Sequence, residues 1–266
     1  MDRRTFNEFR KLVYEMSGIN LQSNKEALLS ARVRKRMRDL GIDNYRSYLR
    51  HATGDESGGE IVRLIDAVST NVTHFFREPD HFDFLKKVIK GWLSLGQKRF
   101  RIWSAASSSG EEPYSIAMSM MEIIGKDESD VKILATDIST EILAQARLGI
   151  YSREKIKSIS RQLKLNYFQK VSGANGDYFQ VMDSLKQIAT FARLNLSKPP
   201  FPMKGPFDLI FCRNVMIYFD NPTRTKLVKE IHRLLKPKGY LLTGHTESLT
   251  GIKTEFKCIS PSVYVK

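Results

Sequence analysis

Cysteine is scarce in this 266-residue chain. Cys212 and Cys258 form no metal-ligand pair at short spacing and no disulfide framework. Cys212 lies in an apolar run and reads as a buried thiol, so a reducing, cytoplasmic compartment is expected. The histidines at 51, 74, 81, 232 and 245 show no metal-binding spacing, and no bound metal is expected. No stretch approaches the ~18 apolar residues that cross a bilayer, so no membrane insertion is expected. The start, Met1-Asp2-Arg3-Arg4-Thr5-Phe6, has basic residues without an apolar run after them and does not read as a secretory signal. Acid is also short: 43 Lys and Arg against 29 Asp and Glu give a formal net charge of +14. That excess predicts an acidic partner without choosing among nucleic acid, a membrane surface and an acidic protein. Hydrophobic residues make up 41%, enough for a real core, and the length suits two domains.

The first ~75 residues carry helical periodicity and no strand-like run. Thr5 and Glu8 have capping-box spacing ahead of Phe9, Val13 and Met16, and Ser23 and Glu26 repeat it. The second helix should reach Leu40 and stop at Gly41. A short helix is predicted at Tyr45–Arg50, and Ile61, Leu64, Ile65 and Val68 mark another. Residues 1–76 thus read as a helical domain. A linker helix follows over 77–97, with Pro79 at its first position and Gly96 at its end. From Phe100 strands and helices alternate: strand Phe100–Ser104, helix Pro113–Ile124, strand Val131–Thr136, helix Ser139–Leu148, strand Phe207–Cys212, helix Pro222–Leu235 and strand Tyr240–Thr243. Such alternation with apolar strands predicts an α/β fold, a doubly wound parallel sheet, over 98–266. Glu255–Ile259 and Ser262–Val265 should add a terminal hairpin. Residues 163–194, with a turn around Gly173 and Gly176, read as a small β insertion.

Ligands of such sheets bind at the carboxyl ends of the strands. The loop after the first strand, Ala105-Ala106-Ser107-Ser108-Ser109-Gly110, is rich in small residues but has one glycine. The G-x-G-x-x-G pattern that lets backbone approach a pyrophosphate is missing, which disfavours NAD and FAD. Glu111 and Glu112 would repel a phosphate at that helix start, yet suit the ammonium of S-adenosylmethionine, which carries no phosphate. Asp137 ends the second strand, where a carboxylate can accept both ribose hydroxyls; the alternative is a helix N-terminal acid favoured by the macrodipole. Asn214 follows an apolar strand and is a candidate by position, though Asn is also common in turns.

Taken together, Thr70 through Glu78, Ile102-Trp103-Ser104 through Ala117, Ala135 through Ile138, Leu194-Asn195-Leu196, Phe211 through Phe219, and Leu235-Lys236-Pro237 with Gly244-His245 resemble the chemotaxis receptor methyltransferases, the CheR family. The resemblance spans nearly the whole chain in the family's order. Departures are small: Ser109 stands where the family has Thr, Ala and Ser replace Gly-Cys in the loop of some relatives, Thr246 replaces Ser, and Lys238 a glycine or acid. The resemblance implies a helical domain joined to a Rossmann-like class I methyltransferase domain with a small antiparallel β subdomain. It implies O-methylation of glutamate side chains on chemoreceptors, serving sensory adaptation, with S-adenosyl-L-homocysteine as product. Carried over by motif, Asn71, Thr73 and Arg77 would touch the cofactor from the linker. Glu112 would take its ammonium and Asp137 its ribose, with Asn195, Leu196, Arg213 and Asn214 along the adenosine and methionine portions. Arg77 and Tyr218 would stand nearest the transferred methyl.

The helix between Ser23 and Leu40 carries Arg32, Arg34, Lys35, Arg36 and Arg38 with little acid nearby. At ~100° per residue Arg34, Lys35 and Arg38 lie opposite the Leu29, Val33, Met37 stripe, with Arg32 and Arg36 at one side. These five are read as docking onto the acidic cytoplasmic helices of a receptor, as the family does; a solvated face is the plainer alternative. A monomer is expected. Two rivals are a nucleic-acid methyltransferase, which the charge allows but no RNA-binding or Asn-Pro-Pro-Tyr-like segment supports, and a non-catalytic regulator that binds the cofactor as a signal.

Overall fold

A carboxylate starts the first helix. In the computed structural model, which describes residues 1–125, 129–173 and 176–266, α1 spans Arg3–Ser17 and Asp2 is its cap. The Asp2 carboxylate accepts from the Thr5 amide at 2.9 Å and the Thr5 hydroxyl at 2.8 Å. Thr5 is therefore buried in the first turn instead of capping it, because a carboxylate three residues earlier is the stronger acceptor. The second expected capping box also gives way: Ser23–Lys25 is a 3-10 turn, and α2 runs Glu26–Asp39 without a side-chain cap. Asn44 caps α3, Tyr45–Gly54, which is longer than expected, and α4 spans Gly59–Val68. Their apolar stripes meet around Phe6, Phe9, Val33, Tyr48 and Leu64, all fully buried.

Helix α5, Pro79–Ser94, leads into the α/β domain with proline in its first turn. Five parallel strands run from one edge of the large sheet through its middle: β1 (Arg99–Ser104), β2 (Asp130–Asp137), β6 (Ala189–Arg193), β7 (Phe207–Cys212) and β8 (Leu235–Thr243). The hairpin β9 (Lys257–Ser260) and β10 (Val263–Val265) adds antiparallel strands, giving the order β6-β2-β1-β7-β8-β10-β9. Helices α6 (Glu111–Ile124), α7 (Thr140–Leu148) and α10 (Asn221–Leu234) complete the winding. Buried clusters cover both faces, one around Phe82, Leu85 and Ile116, the other around Trp103, Leu227 and Ile231. Chain order reverses between β1 and β7, which opens a crevice at their carboxyl ends.

The β insertion differs from the expected 163–194. Its sheet has the order β3-β5-β4, and β3 is Ile150–Ser152, ahead of that span. Strands β4 (Phe168–Gly173) and β5 (Gly176–Val181) lie inside it, whereas β6 belongs to the large sheet. Three residues are too few to show alternation, and a half-buried edge strand such as β6 lacks the apolar run of a central one. The turn expected around Gly173 and Gly176 centres on residues 174–175, outside the described residues. Helices α8 (Arg161–Tyr167) and α9 (Asp183–Lys186) flank the small sheet.

The helical unit docks on the carboxyl end of the large sheet. Asp66 accepts from the Thr140 amide (3.1 Å) and hydroxyl (2.9 Å) at the start of α7. The Tyr14 hydroxyl donates to Asp220 at 2.7 Å, and the Asn20 amide to the Tyr218 carbonyl at 2.8 Å. This seats Ser17 and Ile19 as one wall of the crevice.

Candidate active site

All ten residues expected at the cofactor and transfer site line this one crevice. The loop after β1 folds back on β2. The Ser107 amide donates to the Thr136 carbonyl at 2.9 Å, and Ser108 turns at φ 47°. That turn sends the Ser108 amide to Asp137 Oδ2 at 2.8 Å, while the Ser139 amide reaches Oδ1 at 3.1 Å. Two backbone donors thus fix the carboxylate, and each oxygen keeps acceptor capacity. Burial pushes the Asp137 carboxyl above its ordinary value, against those same donors.

Gly110 crosses behind the loop at φ 95°, where a Cβ would fall 2.8 Å from the Tyr151 hydroxyl and 3.1 Å from Ala146. At the start of α6 the two acids separate. Glu111 is fully buried, receives the Ser109 hydroxyl at 2.5 Å and the Lys155 ammonium at 2.8 Å, and is not among the crevice-lining residues. Glu112 faces the crevice. Its Oε1 accepts from the Ser104 hydroxyl at 2.6 Å and its Oε2 from Arg213 Nη1 at 3.1 Å. Burial raises the Glu112 carboxyl, and Arg213 opposes the rise.

Arg213, one residue past β7, ties the floor together. Its side chain is 1% exposed and donates to Glu112 and to Glu78 Oε2, the latter at 2.9 Å. It also donates to the Arg77 carbonyl. Glu78 sits at φ 57° just before Pro79. Burial works to raise its carboxyl, but the Arg213 charge and the bonds from Arg213 and Asn214 hold it below the usual range. Sequence reading passed over Glu78; the available signal was an acid placed between Arg77 and a helix-starting proline. His81, one turn into α5, was also passed over. It is fully buried beside Arg213, and burial with that cation depresses it to about 4, so it is neutral at pH 7.

The linker closes over the crevice. Ser108 donates its hydroxyl to the Asn71 carbonyl at 3.1 Å, and Arg77 Nη1 donates to the Val72 carbonyl at 3.0 Å. Thr73 and the half-buried Arg77 lie along this rim. On the far side Asn195 donates to the Met16 carbonyl at 2.7 Å and accepts from Ser197, with Leu196 buried beside it. Asn214 turns at φ 57° and donates to Glu78 Oε1 at 3.3 Å. A single 3-10 turn, Met216–Tyr218, then brings half-buried Tyr218 to the crevice.

The donor set fits a cationic, phosphate-free ligand. Glu112 and Asp137 supply two carboxylates to the crevice, and Arg213, held from behind by Glu78, neutralises part of that charge. Glu111 and Glu112 occupy the first turn of α6, so its positive end offers nothing to a phosphate.

The five basic residues of α2 do not act as one face. Arg36 is committed inward: its guanidinium makes two 2.8 Å bonds to the Glu60 carboxylate, which is 2% exposed and also receives the Tyr48 hydroxyl. Arg32 donates to the Ser69 carbonyl at 3.1 Å and to the Val68 carbonyl. Arg34, Lys35 and Arg38 are exposed. The expected shortage of acid near α2 is corrected by Glu60, distant in sequence but adjacent in space.

Residues 4–69 match the family description "CheR methyltransferase, all-alpha domain", and residues 71–265 match "CheR methyltransferase, SAM binding domain". The chain is 41% identical over 263 residues to a chemotaxis protein methyltransferase of Borreliella burgdorferi, covering 96% of this chain and 92% of that one. It is 37% identical to chemotaxis protein methyltransferase 2 of Pseudomonas aeruginosa, covering 98% and 92% of the two chains. The Escherichia coli chemotaxis protein methyltransferase is also 37% identical, with 97% and 89% covered. With both domain descriptions matched end to end and a crevice whose carboxylates suit a sulfonium donor, the chain belongs to the CheR methyltransferase family.

Proposed function

We propose that this protein methylates glutamate side-chain carboxylates on the cytoplasmic helices of chemoreceptors. The observation that carries the reading is the crevice itself, with Glu112 and Asp137 to meet a cationic donor and with Arg77 and Tyr218 both among its lining residues. S-adenosylmethionine, when bound, supplies a methyl group on a positively charged sulfur, open to in-line displacement. Glu112 holds the ammonium with the lone pairs that Ser104 and Arg213 leave free, and Asp137 accepts from the ribose. Asn71, Thr73, Asn195, Leu196, Arg213 and Asn214 enclose the remainder. A glutamate acceptor, with an ordinary pKa of about 4.3, is already ionised at neutral pH and needs no general base. The protein's task is positioning, which in favourable cases is worth roughly 7–11 kcal/mol. Arg77 orients the acceptor carboxylate, and Tyr218 shapes the transfer pocket or donates to it.

Exposed Arg34, Lys35 and Arg38 meet the acidic face of the receptor. The deciding experiment incubates the protein with methyl-tritiated cofactor, a receptor cytoplasmic fragment with or without its C-terminal tail, and RNA. Base-labile counts on the fragment are expected. Counts on RNA, or none on either substrate, would remove this reading. Loss of activity with the tail deleted would assign the small β sheet a tethering role.

A further inference from the structure

Glu247 belongs to the loop after β8, is 2% exposed and does not line the crevice. Its carboxylate nonetheless gathers four backbone amides from two loops. Oε2 accepts from Asn214 at 2.5 Å and Gly244 at 2.7 Å. Oε1 accepts from Val215 at 2.8 Å and Ile217 at 3.2 Å. Three of the four donors lie in the segment that carries Asn214 and Tyr218. That segment needs an anchor: Asn214 holds a left-handed φ of 57°, which a side-chain-bearing residue adopts at a cost, and the next regular structure is a single 3-10 turn. Gly244 completes the cradle. A Cβ there would lie 2.6 Å from Glu247 Oε2, 2.6 Å from Asn214 Nδ2 and 3.0 Å from the Asn214 amide.

We infer that Glu247 is a positioning residue for methyl transfer. Its buried carboxylate fixes the Asn214–Tyr218 segment against the crevice and sets where both side chains meet cofactor and acceptor. The inference rests on the methyltransferase reading and deepens it. Four N–H groups converging on one anion require a carboxylate: an amide in its place points an NH2 group at donors, leaving at least one buried amide unpaired. Aspartate keeps the charge but withdraws it by one methylene. Since Glu247 touches neither ligand, its effect must pass through Asn214 and Tyr218, and that gives it a signature ordinary packing lacks.

The test uses the full chain and two double-mutant cycles. Calorimetry measures S-adenosylhomocysteine affinity for wild type, Glu247→Gln, Asn214→Ala and the pair. Methylation kinetics on a receptor fragment give kcat for wild type, Glu247→Gln, Tyr218→Phe and the pair. With thermal melts confirming folded protein, Glu247→Gln should weaken S-adenosylhomocysteine about tenfold and lower kcat by about 10- to 100-fold, the scale of a 1 Å misplacement. In the Glu247→Gln background each second substitution should cost much less than in wild type, because residues acting through one segment are not additive. Additivity in both cycles, or a folded Glu247→Gln protein with wild-type affinity and kcat, overturns the inference. If Glu247→Gln does not fold, the same cycles on Glu247→Asp decide it by the same criterion. Wild type that binds S-adenosylhomocysteine but does not methylate the fragment would count against the receptor reading alone, and the affinity cycle would still judge Glu247.

Discussion

Arg213 in the crevice and Arg38 on α2 carry the same guanidinium in opposite surroundings. Arg213 is 1% exposed between Glu112 and Glu78, whereas Arg38 faces water with no carboxylate partner among the described residues. In the first setting the low dielectric amplifies every charge, and each member holds its neighbours in place. In the second, water and salt screen the charge, so it acts on what approaches and hardly on the fold. Arg36 shows that the difference follows from packing, not from the helix. Two residues before Arg38, it is turned inward and half-buried because it pairs with Glu60 of α4, a carboxylate that the Tyr48 hydroxyl of α3 also reaches.

The sharpest way to break this comparison is to remove the central crevice cation. Arg213→Ala leaves Glu78 and Glu112 facing each other without compensation. A stability loss of about 3–5 kcal/mol is expected from chemical denaturation, with S-adenosylhomocysteine binding abolished. A stable Arg213→Ala protein with intact binding would show that the network is dispensable. Arg36→Met should cost about 3 kcal/mol by leaving Glu60 charged and buried, and pairing it with Glu60→Leu should recover much of that loss. If Arg36→Met behaves like a surface change, within about 0.5 kcal/mol, the inward assignment of Arg36 is wrong.

His81 extends the contrast to pH. Its folded value is about 4 against an ordinary 6.5, so the folded state resists the proton that the unfolded state accepts. The contribution is present in full above pH 6.5 and is lost as pH falls through about 4, at most about 3 kcal/mol. Denaturation of wild type and His81→Gln between pH 7 and 4 should show the steeper decline in wild type; parallel curves would refute the linkage. On the rim, Arg77→Ala should lower kcat/KM about 100-fold, about 2.7 kcal/mol, with little change in melting temperature. Unchanged kcat/KM would remove Arg77 from the transfer site. The smallest effect belongs to the exposed set: Arg34→Glu with Arg38→Glu should weaken receptor methylation about tenfold, with that difference shrinking as salt rises. Cofactor-product affinity and melting temperature should not move. Equal methylation by the double variant would make these arginines a solvated face.

Legibility followed the same division. Helices with long apolar stripes, such as α1 and α4, and central strands such as β7 were readable because periodicity records burial directly. The crevice residues were readable largely through matched motifs. Asp137 was legible by position at a strand end, and the small-residue loop upstream favoured ribose binding over a helix N-terminal acid. Glu78 and Glu247 were not readable as organisers, since their partners lie 135 and 33 positions away in Arg213 and Asn214. The three-residue strand β3 and the edge strand β6 escaped for want of pattern.

The sequence by itself determined the two-part organisation, the parallel sheet, the phosphate-free character of the loop after β1 and the excess of positive charge, because these depend on local spacing and composition. Tertiary structure alone decided which charges act as a network and which face solvent. A carboxylate's partner is set by what folding brings within hydrogen-bond reach and by how much water is excluded there, and neither quantity is written along the chain.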